Sequence, residues 1–182
     1  MAVVAALAAL AVPAVSALSG VDARKAALEL SGSLRVLFDV AALRHSTCRM
    51  VLDLDDRSYW AECAPGRAAP ESTADEEEIA RRFPDEPDPE VRKVLSQSKF
   101  GKFHDRLLEK RQLPGQTAFG PVHLEGKTQT QTEGQAYVYF FALGMAQKAY
   151  IPVVEGGNLF TVVTEPFTGR TRVVPGKVEV KE

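Results

Sequence analysis

Val21-Asp-Ala-Arg-Lys-Ala-Ala-Leu-Glu-Leu-Ser-Gly-Ser-Leu-Arg-Val-Leu-Phe-Asp-Val-Ala41 is the stretch that decides the fold. On a wheel of about 100° per residue, Ala23, Ala27, Leu30, Leu34, Leu37 and Ala41 share one face, and Arg24, Lys25, Glu29, Arg35 and Asp39 lie opposite. The apolar positions advance in alternating steps of four and three. A helix striped in this way must lay the stripe on a core, so Ala23 to Ala41 is expected to be the face that meets a globular body.

Working back toward the start, no charged residue occurs from Met1 to Val21. As a helix, Met1 to Leu18 would rise roughly 27 Å, close to the ~30 Å of a bilayer core. Alanine is the commonest residue in that run, so the segment also fits a secretory signal peptide with Val15-Ser16-Ala17 as the cleavage site. Two features favour a retained span: no basic region precedes the apolar run, and helical periodicity resumes directly after it. The expectation is one helix over 1–45, apolar all round in its first half and one-sided in its second, bent at Pro13 or Ser19-Gly20.

Working forward, Cys48-Arg-Met-Val-Leu-Asp-Leu54 and Ser58-Tyr-Trp-Ala-Glu-Cys63 alternate as strands around Asp55-Asp56, which reads as a two-residue hairpin turn. That register sets Leu54 against Arg57, Leu52 against Tyr59, Met50 against Ala61 and Cys48 against Cys63. The cysteines therefore meet on the face that carries Met50, Leu52 and Leu54. A Cys48–Cys63 disulfide is predicted, and with it an oxidising compartment outside the cytoplasm. Two buried free thiols are the alternative, since free cysteine packs as a small hydrophobe.

The chain has 182 residues, 45% of them hydrophobic, enough for one domain with a real core once the helix is set aside. A net charge of −2 gives no global reason to expect nucleic acid or anionic lipid. The organisation read is helix at 1–45 and a β-rich head at 46–182, with a polar insertion at 64–116 rich in Asp, Glu, Lys and Arg. Within that insertion, short helices are predicted around Ile79 to Phe83 and over Pro89 to Ser98, and Phe100, Phe103, Leu107 and Leu108 are expected to pin its end to the domain.

Beyond residue 116 the patterns are those of strands. Gly134 to Ala142 is apolar and aromatic on both faces, like a strand covered on both sides. Lys148 to Val154 forms another, with Pro152 indicating an edge or a bulge. Asn158 to Thr164 and Arg170 to Pro175 form a hairpin around Pro166-Phe-Thr-Gly169, and Lys177 to Val180 is expected to be a closing strand.

No catalytic constellation assembles. His45, His104 and His123 stand in unrelated contexts, and no phosphate loop or nucleophile elbow is present. Asp53, Asp55 and Asp56 read as turn residues rather than calcium ligands. Arg170, Arg172, Lys177 and Lys181 make a modest basic stripe, a weak signal for single-stranded DNA. The chain is read as a non-enzyme with no cofactor, no metal and no small-molecule substrate.

The opening Met1-Ala-Val-Val-Ala-Ala-Leu7, Pro13, and the amphipathic continuation carrying a β-domain resemble the type IV pilin and pseudopilin superfamily. The hairpin Cys48 to Cys63, Tyr150-Ile-Pro-Val-Val154, and Leu159 to Val173 with its Thr168-Gly169-Arg170 turn resemble the H-type (GspH/FimT-like) minor pilins and pseudopilins. The likeness covers helix and strands and leaves 64–116 unmatched. It implies an α+β fold, a long helix packed on a head of antiparallel sheets, and a structural subunit that primes filament assembly in a type IV pilus or type II secretion pseudopilus. It further implies a single-pass inner-membrane protein with a periplasmic head that later enters an extracytoplasmic filament. Its partners would be other major and minor pilins or pseudopilins and the inner-membrane assembly platform; a weak contact for DNA or cargo at Arg170, Arg172 and Lys177 rests on the basic stripe alone, for which plain surface solvation is the favoured reading. Ala2, Ala5, Ala6 and Ala9 would suit close helix packing, with Pro13 as the bend. Such subunits begin with a basic leader, a Gly-Phe junction and a glutamate, so Met1 is expected to correspond to an internal position just beyond that glutamate. The alternative is a secreted or periplasmic β-sandwich binding domain whose opening, Met1 to Ala17, is a truncated signal peptide.

Overall fold

The computed structural model describes residues 20–65 and 100–178. The first part of the expected long helix, with Ala2, Ala5, Ala6, Ala9 and Pro13, lies outside them, as do the short helices expected within 64–116 and the end of the predicted strand at 177–180.

The helix α1 spans Val21–Leu43. Its striped face is fully buried: Ala23, Ala27, Leu30, Leu34, Leu37 and Ala41 are all 0% exposed. Arg35 and Asp39, on the other side, form an exposed i,i+4 pair at 3.7 Å. Gly20, immediately before the helix, has φ +93°, a left-handed conformation that interrupts helical geometry at that residue.

Two antiparallel sheets are built from the described residues. The first contains β1 (Thr47–Asp53), β2 (Ser58–Ala64), β3 (Gly101–Lys102), β4 (Arg111–Gln112), β7 (Gln135–Phe141) and β8 (Met145–Ala146), in the order β3-β2-β1-β7-β8 with β4 also on β2. The second contains β5 (Ala118–Phe119), β6 (His123–Leu124), β9 (Ala149–Glu155), β10 (Asn158–Thr164) and β11 (Thr171–Pro175), in the order β11-β10-β9-β5 with β6 also on β9. The helix packs on both, against β1 and β7 of one and β9, β10 and β11 of the other. Leu30, Leu34 and Leu37 join Met50, Leu52, Val138, Phe140, Ile151, Val153 and Val162 in a single core. This is the α+β architecture the sequence implied.

The hairpin register is the predicted one, with Cys48 opposite Cys63, Met50 opposite Ala61 and Leu52 opposite Tyr59. Its turn is wider than the expected pair Asp55-Asp56. The ladder ends at Asp53↔Ser58, leaving 54–57 as the loop. The Leu54 N–H leaves the hairpin to donate to the Gly134 carbonyl at 2.9 Å, and Arg57 takes up φ +53°. The Asp56 N–H donates to Asp53 Oδ1 at 2.9 Å, a side-chain hydrogen bond across three residues that closes the loop. Pairing to a third strand thus outcompetes the tight turn.

Pro152 is neither at an edge nor in a bulge. Its carbonyl accepts from the Gly120 N–H at 2.8 Å, and the N and O of a strand residue point the same way, so its missing donor faces that flank. There the partner strand is split: β5 meets Val153 and Val154, β6 meets Ala149 and Tyr150, and the gap falls at Pro152. Lys177 and Val178 lie beyond the last strand; the chain leaves the sheet at Gly176, whose N–H donates to the Leu159 carbonyl.

Both faces of the central strands are covered. Val51 faces away from the core yet is 0% exposed, held between its cross-strand partners Trp60 and Tyr137. Val163 is likewise 0% exposed, opposite Tyr150 and Arg172. The turn Thr168-Gly169-Arg170 sits on the helix: Gly169 has φ +56°, and a Cβ there would overlap the Phe38 ring. Only glycine satisfies both constraints.

Candidate functional site

Three features of the molecule bear on function: the disulfide-closed hairpin, the start of the helix, and the end of the polar insertion.

Cys48 and Cys63 are joined in a disulfide, with Cα atoms 4.0 Å apart and a sequence separation of 15. The next pair toward the turn is Arg49 and Glu62. The Arg49 Nε and Nη2 donate to Glu62 Oε2 at 2.8 and 2.6 Å, and Trp60 Nε1 donates to Oε1 at 2.9 Å. The guanidinium carbon stands 4.4 Å from the ring centres of both Phe100 and Tyr137, a double cation–π stack. Among the described residues its buried Nη1 has no hydrogen-bond partner. Phe100 is thereby fixed to the sheet at the point where the insertion returns.

The returning residues are structural. Lys102 pairs with Glu62 and Gly101 with Cys63 in β3, while Gln112 and Arg111 pair with Ser58 and Tyr59 in β4. Leu108 is 1% exposed and Phe103 packs against the core, whereas Leu107 is 51% exposed. Buried Tyr59 has its phenol pushed above the usual range by desolvation, opposed by hydrogen bonding to Ser33 and the charge of Arg111.

At the helix start Glu155 supplies a cap. Its Oε2 accepts from the backbone N–H groups of Gly20 and Ala23, each at 3.1 Å. These are the N-cap and third-position donors of a helix whose own N-cap residue offers no side chain. The Gly156-Gly157 turn carries Asn158 under Gly20, where a Cβ would come within 2.6 Å of the Asn158 Cγ. The carboxylate also lies at the positive end of the helix dipole. Glu155→Ala is expected to cost about 1–2 kcal/mol. Urea unfolding checks the loss, and amide exchange should accelerate first at 20–24. Sequence reasoning missed Glu155; the only signal was the absence of a Ser, Thr, Asn or Asp at the N-cap, which says a partner is needed without saying where.

The acidic turn is occupied by its own hydrogen bonds. Asp53 Oδ2 accepts from Gln135, Asp55 Oδ2 from the Gly134 N–H, and Asp56 Oδ2 from Ser58 and, at 2.6 Å, from Lys110. The Lys110 hydrogen bond, aided by Ser58, holds the Asp56 carboxyl below the usual range. Among the described residues no group of three His, Cys, Asp or Glu is placed to hold a metal ion. His45 follows the helix, His104 lies in the loop after β3, and His123 stands beside Tyr150. Of the basic stripe, Arg172 is paired with Glu165 at 3.3 Å, while Arg170 and Lys177 are exposed and Lys181 lies outside the described residues. Among the described residues no helix is long and apolar enough to cross a membrane.

No family model and no curated protein matches this chain. Its fold does match solved structures. Two structures of EpsH, the minor pseudopilin of the type II secretion system of Vibrio cholerae, align with 87% of this chain. One aligns over 99% of its own length at TM-score 0.57 and 14% identity, the other over 97% at 0.56 and 15%. The helix beneath two antiparallel sheets is therefore a fold this chain shares with a minor pseudopilin.

Proposed function

We propose that this chain is an H-type minor pilin or pseudopilin, a structural subunit that takes part in assembling or priming a type IV pilus or a type II secretion pseudopilus. The observation that carries the reading is the spine. Helix α1 is buried beneath both sheets along its apolar stripe, and the uncharged, alanine-rich stretch Met1 to Leu18 precedes it directly in sequence. The fold shared with EpsH supports it, over 99% of the chain in that solved structure.

In this reading residues 1–45 form the helical unit and 46–182 the head, with 64–116 as an insertion whose returning part pairs with the first sheet through β3 and β4. The N-terminal segment holds the protein as a single pass in the inner membrane with the head in the periplasm. On assembly it moves among the helices of other pilins or pseudopilins, handled by the platform protein. Ala2, Ala5, Ala6 and Ala9 permit close helix approach there, and Pro13 supplies a bend. The face Ala23, Ala27, Leu30, Leu34, Leu37 and Ala41 ties the spine to the head. The disulfide belongs to the oxidising side of the membrane. Arg170 and Lys177 supply at most a weak cationic contact for DNA or cargo, because Arg172 is already neutralised by Glu165.

Fractionation of the native cell tests this. The protein is expected in the membrane fraction after an alkaline carbonate wash, with a head that protease digests in spheroplasts but not in intact cells. Recovery as a soluble periplasmic protein lacking Met1 to Ala17 would instead establish the secreted binding domain.

A further inference from the structure

Helix α1 begins at a joint. Gly20 stands at φ +93°, outside helical geometry, and the Arg24 N–H closes the first turn on the Gly20 carbonyl at 3.0 Å. The N–H groups of Gly20 and Ala23 both donate to Glu155 Oε2, each at 3.1 Å. In an uninterrupted helix the same two groups would donate four residues back, to the carbonyls of Ser16 and Ser19. One pair of donors therefore has two alternative sets of acceptors: a carboxylate on the β9–β10 turn, or the backbone of the chain ahead of the helix.

The residue at the joint suits both arrangements. Glycine enters the left-handed region without a steric penalty and adopts helical angles as well. In the present conformation a Cβ at position 20 would come within 2.6 Å of Asn158 Cγ, so a side chain there fits only once the joint has turned. With Glu155 engaged, left-handed Gly20 directs the entering chain off the axis of α1. With the backbone carbonyls engaged, that chain continues along the axis.

We propose that Glu155 is the latch of a two-state joint at Gly20. Latched, it holds the entering chain at an angle to α1; released, it hands the two donors to the backbone and the helix runs on through Gly20. The head is the same in both states, because the buried stripe begins only at Ala23. The joint stands on this local geometry. Its use, letting the uncharged stretch Met1 to Leu18 realign from lipid to neighbouring helices, rests on the filament reading.

Pulsed dipolar spectroscopy on the full chain in detergent micelles reads the joint directly. Nitroxide labels are placed at Ala6→Cys and Arg35→Cys; the native cysteines are both held in the disulfide. A continuous helix would set the labelled positions about 44 Å apart. The main wild-type distance is expected to be shorter. Glu155→Ala should move the ratio of short to long distances toward the continuous helix by about five- to thirtyfold, the factor that corresponds to losing a cap. Gly20→Ala should act in the same direction, since alanine disfavours the left-handed region, and Glu155→Gln should act more weakly. Lys25→Ala, exposed beside the joint, should leave the ratio unchanged.

A wild-type distance already at the continuous-helix value overturns the proposal. So does a ratio that neither Glu155→Ala nor Gly20→Ala moves, or one broad distribution common to the wild type and every variant. These distances do not depend on where the protein is found in the cell, so the joint can fail while the filament reading stands, and fractionation can fail while the joint stands.

Discussion

Replacing Leu34 with alanine is expected to lower folding stability by about 3–5 kcal/mol, the upper part of the range for a buried leucine. Leu34 is 0% exposed at the middle of α1, where the helix is held between two sheets. Neither sheet can move in to fill the space without breaking register on its other strands, so the cavity persists and its full cost is felt. The neighbouring Arg35→Ala provides the control. Its side chain is 51% exposed and, among the described residues, makes only the 3.7 Å contact with Asp39, so it should change stability by less than about 0.5 kcal/mol. Urea denaturation of both variants reads the difference as a shift of midpoint at unchanged slope. Equal effects would mean that the striped face does not carry the head.

Removing the disulfide, by Cys48→Ser with Cys63→Ser or by reduction, is expected to cost about 2–3 kcal/mol. The bond links positions separated by 15 in sequence, and freeing that loop restores conformational entropy to the unfolded chain. The native hairpin should survive the loss. Met50↔Ala61 and Leu52↔Tyr59 remain paired, and the Arg49–Glu62 ion pair beside them has its own aromatic cover. Stability should therefore fall while the circular dichroism of the native state stays the same. Denaturation with and without dithiothreitol checks the first point. A spectrum that collapses on reduction contradicts the second.

Why these two features are legible in the sequence while others are not follows from their range. The helix stripe depends on the helical period, and the cysteine pairing on alternation about a nearby turn. Both are local rules that a short stretch of sequence can express. Glu155 caps a helix start 132 residues away from Ala23, and no local pattern encodes such a contact. The width of the hairpin turn escapes the sequence for a related reason: Leu54 bonds to Gly134 on a third strand, a competitor invisible within the hairpin itself. Pro152 marks a disturbance, yet only the topology reveals that the neighbouring strand splits around it rather than ending. In the insertion, charge density conceals the role of its returning part. Arg111 and Lys102 occupy short edge strands, where solvated side chains and backbone pairing coexist. The acidic–basic mixture there records exposure of the side chains, not absence of structure. The aromatic residues are more informative than the charges, and Phe100 and Phe103 do anchor the returning chain.

In the proposed function the alanine-rich N-terminal stretch is retained and the head it carries works within a filament. Mass spectrometry of filaments sheared from cells, or of pseudopili isolated from the envelope, tests both points. The chain is expected in that fraction together with other pilins or pseudopilins, yielding peptides that include Met1 to Leu18. A chain absent from filaments and recovered as a soluble species beginning at Leu18 would contradict it.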